Sequence, residues 1–263
     1  MANPTPNALV DSHCHLDFAV FDADREAIIQ HAIDAGVERF LVPGTEARRW
    51  PALLAFGQHP KIDIALGLHP YFLTQASMPE LRNALDSLRM LLADHQDSVS
   101  AIGECGLDAV IDCSMATQIE IFDAQIQLAN EINKPLIIHA RKTHHLIAER
   151  LSANRFAQRG IIHGFSGSIE LATSYLERGF LLGIGGTITY PRGNKTRETI
   201  KALGLSAIVL ETDSPDMPLH GCQGERNTPS QTARIAECVA EILSVSVGEV
   251  CQRTTQNYLT LFA

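Results

Sequence analysis

The chain has 263 residues, of which 45% are hydrophobic, and its formal net charge is -9 at pH 7. This length and composition suit one large α/β domain with a substantial core. The acidic balance argues against a surface that coats nucleic acid broadly, while it still allows a local basic rim around one cleft.

The cysteines and the apolar segments indicate a cytoplasmic protein. The six cysteines form no C-x-x-C pair and are scattered through a chain too large to need disulfide bonds, so we expect reduced thiols. The start of the sequence lacks a basic stretch followed by a long apolar one, and no apolar run approaches about 18 residues. We therefore expect no signal peptide and no membrane segment.

Eight apolar runs alternate with helical patterns along the chain. The runs lack polar alternation, which is expected of parallel strands covered on both faces. We predict strands near residues 8–13, 39–43, 62–68, 99–103, 135–139, 160–164, 180–184 and 207–211. We predict helices over roughly 23–35, 46–57, 79–94, 115–132, 143–154, 168–178, 196–203, 230–243 and 246–261. The proline- and glycine-containing segment 213–229 is expected to be a long loop after the last strand.

This alternation predicts an α/β fold, a single (β/α)8 TIM barrel that spans residues 1–263. A doubly wound open sheet could also hold eight strands, but its ligands would cluster near one switch point. Asp22 and Ser168 are expected to cap helix N-termini. Gly36 and Gly179 are expected just past helix C-termini.

Six potential metal ligands fall at the ends of the predicted strands. The C-terminal ends of barrel strands meet at one mouth, so residues distant in sequence are expected to converge there. Four imidazoles and two carboxylates suit Zn²⁺ or Mn²⁺, with exchange toward Mg²⁺ also possible. The six residues are His13, His15, Glu104, His139, His163 and Asp213.

Most of these residues have a structural interpretation when each is taken alone. His13 and His15 form an H-x-H pair whose side chains alternation along a strand turns to one side. His139 and His163 follow runs so apolar that either one could be a hydrogen-bonded core histidine. Asp213 could cap a loop. Their occurrence together favours a metal site.

Glu104 and Asp213 are the candidate catalytic carboxylates. Glu104 could bridge two cations about 3.5–4 Å apart, with one oxygen on each. Asp213 could bind metal and also accept a proton from a water that metal has made acidic.

The motifs that carry these residues are D-S-H-C-H-L-D, G-L-H-P, G-E-C-G-L-D, I-H-A-R, H-G-F-S-G and E-T-D-S-P. In this order they resemble the TatD family of metal-dependent deoxyribonucleases, which belongs to the amidohydrolase-like metal-dependent barrels. The stretch P-D-M-P-L at 215–219 looks most like the YjjV branch of that family. The resemblance implies two divalent metal cations. It implies that one cation is bound by His13, His15, Glu104 and Asp213, and the other by Glu104, His139 and His163.

The chain departs from the family pattern at two places. Many relatives have aromatic residues after G-L-D and after the last T-D-x-P, whereas this chain has Ala109-Val110 and Asp216-Met217. If those aromatic rings stack on bases, base recognition is weaker in this chain.

Further polar residues are candidates for binding substrate or for orienting the ligands. His69 in G-L-H-P could donate to a phosphate oxygen or orient a ligand, although a histidine at the rim of the core fits equally well. Asp108 and Arg141 could serve the same roles, since a guanidinium matches phosphate in bidentate geometry. Basic residues also follow the seventh predicted strand, near where barrels often bind phosphate, although they could equally form a solvated face. They are Arg192, Lys195 and Arg197.

The leading function is therefore hydrolysis of phosphodiester bonds, in DNA or in a small phosphodiester. The same ligands would serve an amidohydrolase that cleaves a lactone or an N-acyl substrate, and a non-catalytic metal-binding protein is a third alternative. A proton acceptor such as Asp213 argues against metal binding alone. The chain has no G-x-x-x-x-G-K-[ST], H-E-x-x-H or G-x-S-x-G motif, which leaves nucleotide kinases, zincins and serine hydrolases unsupported.

Overall fold

The computed structural model describes residues 8–263, in which strands and helices alternate along the chain. The strands are β1 (Leu9–Asp11), β2 (Val37–Pro43), β3 (Ile62–Leu66), β4 (Ala101–Asp108), β5 (Leu136–Arg141), β6 (Gly160–Ile162), β7 (Phe180–Ile184) and β8 (Ile208–Leu210). The helices are α1 (Arg25–Asp34), α2 (Trp50–Phe56), α3 (Met78–Asp94), α4 (Met115–Ile132), α5 (His144–Ala153), α6 (Ile169–Leu176), α7 (Asn194–Leu203), α8 (Thr232–Leu243) and α9 (Val247–Leu261). Among these described residues, no helix combines the length and the hydropathy that crossing a membrane requires.

The eight strands belong to one sheet whose order is the chain order, β1 to β8. Neighbouring strands run parallel, as in the pairs of β4 with β5 and of β7 with β8. The end of β1 also meets β8, because the N–H of Ser12 donates to the carbonyl oxygen of Leu210 at 2.8 Å. The predicted (β/α)8 barrel is confirmed.

The described residues form two compact units, each with its own apolar interior. Unit 1 comprises the chain up to Val42 together with His163–Ala263, and unit 2 comprises Pro43–Ile162. The largest fully buried side chains of unit 1 are Phe21, Phe40, Phe165, Tyr175, Phe180 and Tyr258. Those of unit 2 include Trp50 and Phe122. Because the strands are covered on both faces, their apolar runs supply much of each interior.

Local sequence signals set several helix ends. Ser168 caps α6, and its hydroxyl accepts a backbone N–H bond as predicted. Gly36 and Gly179 lie just past helix ends with φ of 92° and 82°, which confirms their predicted positions. The prediction that Asp22 caps α1 is wrong, because a 3-10 turn comes first and the helix begins only at Arg25. The Asp22 carboxylate instead pairs with the Arg25 guanidinium.

The extent of β4 differs from the prediction in a way that places Glu104. The strand continues to Asp108, so Glu104 lies inside it rather than at its end. The register with β5 shifts between Ile102 and Cys105, which is where Glu104 lies. Such irregularities bend a strand and redirect a side chain, and they are frequent next to functional sites. The ladder then resumes, with Gly106 paired to His139.

Candidate metal centre

The H-x-H segment of unit 1 turns two imidazoles toward each other just beyond β1. The Nε2 atoms of His13 and His15 lie 3.3 Å apart, and both side chains are buried. Cys14 points away from them, with its thiol facing the carbonyl oxygen of Leu41. The side chains therefore alternate as predicted, although these residues follow β1 rather than lie in it.

Asp213 joins this pair from the loop after β8. Its Oδ1 lies 3.6 Å from the Nε2 of His13 and 3.6 Å from that of His15. The two segments also share backbone bonds, from Asp213 N–H to the His13 carbonyl at 2.9 Å and from His15 N–H to the Ser214 carbonyl at 2.7 Å. Burial acts to raise the pKa of Asp213, but the charge of His163 and the hydrogen bond from His15 outweigh it and hold the pKa at about 2.

Asp11 fastens the segment after β8 to the end of β1. Its buried carboxylate accepts from the Thr212 N–H at 3.0 Å, the Thr212 hydroxyl at 2.6 Å and the His13 N–H at 3.2 Å. Burial raises the pKa of Asp11 to about 8, the hydrogen bonds oppose that rise, and nearby Glu211 adds to it. The side-chain amide of Asn227 holds the same segment by donating to the Thr212 carbonyl at 2.9 Å. A buried polar network thus sets the position of Asp213.

His163 follows β6 directly and pairs with a carboxylate to which the sequence analysis assigned no role. Its Nδ1 lies 3.1 Å from Oε1 of Glu211, and the same oxygen accepts the Gly164 N–H at 2.6 Å. The Nε2 of His163 lies 4.0 Å from Oδ2 of Asp213. The ring also stacks on that of His13, with centroids 3.7 Å apart. Glu211 directly follows the apolar run of β8, and that position was the available sequence signal for it.

Unit 2 contains a second cluster, centred on Glu104. Its Oε1 lies 3.2 Å from Nδ1 of His139 and 3.2 Å from Nε2 of His69. The Nδ1 of His69 accepts the Tyr71 N–H at 3.1 Å. A ring nitrogen that accepts leaves the proton of a neutral imidazole on the other nitrogen, so the Nε2–H of His69 lies on the side of Glu104.

The other nitrogen of His139 meets Asp108 at the end of β4. The Nε2 lies 3.2 Å from Oδ2 of Asp108, whose Oδ1 accepts the Val110 N–H at 2.8 Å. Burial acts to raise the pKa of Asp108, but His139, the Val110 N–H and Arg141 together hold it below its usual value. The Arg141 guanidinium lies 4.0 Å from the Asp108 carboxylate and is 61% exposed, so most of its N–H groups face solvent.

The separations in both clusters fit metal coordination. Two ligand atoms that each lie about 2.1 Å from one tetrahedral ion are roughly 3.4 Å apart. The Nε2 atoms of His13 and His15 and Oδ1 of Asp213 are separated by 3.3 to 3.6 Å, and Nδ1 of His139 lies 3.2 Å from Oε1 of Glu104. In residues 8–263, three groups have ligand atoms that all lie within 4.8 Å of one another. They are His13 with His15 and Asp213, His13 with His163 and Glu211, and His69 with Glu104 and His139.

All six predicted ligands fall in these groups, four in unit 1 and two in unit 2. The basic residues after β7 differ in their surroundings. The Arg197 guanidinium donates to the carbonyl oxygens of Ile188, Tyr190 and Pro191, so the expectation that it holds phosphate is wrong. Loop carbonyls that need donors take up its N–H groups. Arg192 is exposed, with its guanidinium 5.1 Å from the centre of the Tyr190 ring.

Comparison with known proteins identifies relatives along nearly the whole chain. Residues 10–263 match the family described as TatD related DNase. The uncharacterized metal-dependent hydrolase YjjV of Escherichia coli K12 is 40% identical over 255 residues, which are 96% of this chain and 97% of that protein. The human deoxyribonuclease TATDN3 is 30% identical over 271 residues, with 97% of this chain and 94% of that protein covered.

Solved structures of other proteins have a similar fold. The crystal structure of Escherichia coli YjjV, a TatD homologue, superposes with a TM-score of 0.92 at 39% identity and covers 98% of this chain and 99% of that one. A mutant PTE-like lactonase from Deinococcus radiodurans superposes with a TM-score of 0.69 at 14% identity, covering 100% of this chain and 98% of that one. At that identity the likeness concerns the fold alone.

Proposed function

Because this chain is a metal-dependent hydrolase that belongs to the TatD family, we propose that it cleaves phosphodiester bonds, in DNA or in a small phosphodiester. The likeness to YjjV that the P-D-M-P-L stretch predicted is confirmed. The observation that carries the proposal is the meeting of His13, His15 and Asp213, whose ligand atoms lie 3.3 to 3.6 Å apart in unit 1. This spacing suits a cation.

The proposed metal ligands are those predicted from the sequence. His13, His15, His163 and Asp213 would hold metal in unit 1, and Glu104 and His139 in unit 2. Two divalent cations, Zn²⁺, Mn²⁺ or Mg²⁺, are proposed. When bound, they would acidify a water molecule and stabilise the negative charge that develops on the phosphate. A bridging role for Glu104 stays a prediction.

Asp213 is the proposed proton acceptor. Its low pKa means that the carboxylate is ionised at neutral pH, as an acceptor has to be. The side chain is 22% exposed, so a water molecule can reach it. Its N–H donates to the His13 carbonyl, and the His15 N–H donates to the carbonyl of the adjacent Ser214. These two bonds fix the position of Asp213, which favours transfer of a proton to Oδ1 or Oδ2 from a water held nearby.

Two further residues of unit 2 are proposed to orient the ligands. Asp108 accepts from the Nε2 side of His139, an arrangement that fixes the ring and increases the basicity of the other nitrogen. The Nε2 of His69 lies 3.2 Å from Oε1 of Glu104, and this electrostatic contact would help hold that carboxylate. The exposed guanidinium groups of Arg141 and Arg192 are proposed to bind phosphate oxygens.

Two exposed aliphatic side chains favour recognition of phosphate over recognition of bases. Val110 and Met217 stand where many relatives have aromatic residues, and they are 49% and 44% exposed. Aliphatic side chains stack poorly on bases, so affinity would rest on the phosphate and on the metal. We therefore propose that the substrate is a strand end, a short single strand or a small phosphodiester.

The same exposed side chains favour a second candidate. Either Val110 of unit 2 or Met217 of unit 1 would also suit the apolar part of a lactone or an N-acyl compound, which an amidohydrolase would cleave with the same ligands.

Competition between substrate classes tests the proposal. The metal-loaded protein is assayed on bis-p-nitrophenyl phosphate, on a short single-stranded DNA, and on a series of lactones and N-acyl amino acids. We expect the highest kcat/KM on a phosphodiester. A higher kcat/KM on any lactone or N-acyl compound than on every phosphodiester would contradict the proposal and support the amidohydrolase function instead.

A further inference from the structure

We propose that Glu211 is a positioning residue that fixes the tautomer and the ring orientation of His163, and that position 183 is glycine because the Glu211 carboxylate occupies the space of a side chain there. This inference rests on the metal site of the proposed function. It is independent of which substrate that site cleaves.

The first step is the pairing of Glu211 with the segment that carries His163. Glu211 is fully buried, and its Oε1 accepts the Gly164 N–H at 2.6 Å and faces Nδ1 of His163 at 3.1 Å. Because Oε1 already accepts the Gly164 N–H, it is an acceptor toward Nδ1 as well, and Nδ1 then carries the ring proton. The lone pair of the neutral imidazole is then on Nε2.

The second step is the direction in which that lone pair points. The Nε2 of His163 lies 4.0 Å from Oδ2 of Asp213, while the opposite nitrogen faces Glu211. The ring therefore presents Nε2 to the proposed metal ligands and Nδ1–H to the carboxylate. A histidine held in this way by a second carboxylate keeps one tautomer and binds metal more strongly.

Glu211 could also bind the metal directly, because its carboxylate lies with His13 and His163 in a group whose ligand atoms are all within 4.8 Å of one another. Its Oε1 favours the positioning role. This oxygen accepts the Gly164 N–H and faces Nδ1 of His163, so it is already engaged with the segment that carries the histidine, while Oε2 lies beside Gly183. Glu211 acts on the metal through His163.

The third step is the requirement at Gly183. A Cβ at this position would lie 2.0 Å from Oε2 of Glu211 and 2.7 Å from its carboxyl carbon, far inside van der Waals contact. An alanine would therefore displace the carboxylate without changing its chemistry. Gly185, two residues along, offers a matched control, because a Cβ there would lie 3.4 Å from the nearest atom, the Glu211 carbonyl oxygen.

The experiment uses the full-length protein with ¹⁵N-labelled histidine. Long-range ¹H–¹⁵N spectra of the metal-free wild type report the tautomer of His163, assigned with His163→Asn. Zn²⁺ affinity is then measured by competition with a chelator for wild type, Gly183→Ala, Gly185→Ala, Glu211→Gln and Glu211→Ala. Circular dichroism and the thermal midpoint report whether each variant is folded.

We expect the Nδ1–H tautomer of His163 in the wild type. Gly183→Ala is expected to lose that tautomer and to weaken Zn²⁺ binding about 10- to 100-fold, the usual cost of losing such a partner. Gly185→Ala is expected to match the wild type. Glu211→Gln keeps an acceptor for Nδ1–H and is expected to keep the tautomer, whereas Glu211→Ala is expected to lose it.

Either of two results would overturn the inference. One is an Nε2–H tautomer of His163 in the metal-free wild type, which needs no variant to fold. The other is Zn²⁺ affinity and a His163 tautomer in a folded Gly183→Ala or Glu211→Ala protein that equal those of the wild type. Failure of the proposed function gives a different pattern, in which the tautomer and the metal affinities follow this expectation while phosphodiesters are not cleaved.

Discussion

The Nε2 atoms of His13 and His15 lie 3.3 Å apart in side chains that are almost completely buried. Asp213 lies 3.6 Å from both nitrogens. Two imidazole nitrogens and a carboxylate oxygen this close together need a proton or a cation among them. The metal site is therefore expected to affect the stability of the fold as well as its chemistry.

Removal of metal should lower stability. A cation that binds only the folded state at 100 times its Kd stabilises that state by about 2.7 kcal/mol. We expect chelation to lower the thermal midpoint and added Zn²⁺ or Mn²⁺ to restore it, as followed by calorimetry. His13→Ala should show neither change, while His145→Ala, at an exposed histidine, should behave like the wild type. The same midpoint with and without chelator in the wild type would argue against a resident metal.

Replacement of Asp213 should separate metal binding from turnover. Asp213→Asn keeps an oxygen ligand but cannot accept a proton, so kcat should fall by about 100- to 10,000-fold while most of the metal is retained. His13→Ala should lose both metal and activity. Asp216→Asn, at the next carboxylate of the same loop, is the control and should keep most of its activity. If Asp213→Asn turned over substrate at the wild-type rate, Asp213 would not be the proton acceptor.

The exposed arginines should affect substrate binding and leave metal content unchanged. Each of Arg141→Ala and Arg192→Ala should raise KM for a phosphodiester about 3- to 10-fold, since each removes one exposed charge-assisted hydrogen bond. Binding of single-stranded DNA should weaken with added salt, less steeply in these variants than in the wild type. Arg197→Ala should instead lower the thermal midpoint, because its guanidinium holds loop carbonyls. Unchanged KM in both alanine variants would exclude these residues from substrate binding.

Arg226 should hold the loop that carries Asp213. Its guanidinium donates to both carboxylate oxygens of Asp24 and to the Val20 carbonyl, and it lies 4.9 Å from the centre of the Phe21 ring. Arg226→Gln should speed hydrogen exchange in residues 213–229 at pH 7.

The effect of Arg226 should depend on pH with a definite sign. The hydrogen bond from Arg226 lowers the pKa of Asp24, so the pair stabilises the fold above the ordinary carboxylate pKa of about 3.9 and loses this contribution as the pH falls through the lowered value. The free energy of unfolding of Arg226→Gln should therefore be lower than that of the wild type at pH 6 to 8, and the two values should converge in strong acid. A difference in the free energy of unfolding that grows as the pH falls would contradict this account.

The sequence predicted the barrel and the six proposed ligands because both depend on pattern along the chain. Each ligand follows or lies in an apolar run, and parallel strands bring the ends of such runs together. Ser168 and Gly179 were predictable for a similar reason, since capping is a local property. That residues 1–263 form a single domain in the cytoplasm stays a prediction.

Other features depend on contacts that pattern does not encode. Glu104 lies inside β4 because the pairing of β4 with β5 resumes after a shift in register. The apolar run in the sequence does not reveal where that shift occurs. Arg197 was a candidate to bind phosphate, but its guanidinium donates to carbonyl oxygens of the segment that precedes its helix, α7. The partnership of Glu211 with His163 joins residues 48 positions apart, and only the fold brings them within hydrogen-bond distance.

The most direct test of the central claim is a titration of the metal-free protein with Mn²⁺ or Zn²⁺, in which bound metal per chain and hydrolysis of bis-p-nitrophenyl phosphate are measured in the same samples. We predict no turnover without metal, a rate that rises with occupancy, and Asp213→Asn samples that reach similar occupancy with almost no turnover. Hydrolysis by the metal-free chain, or full metal occupancy in the wild type without cleavage of any phosphodiester, would contradict the account.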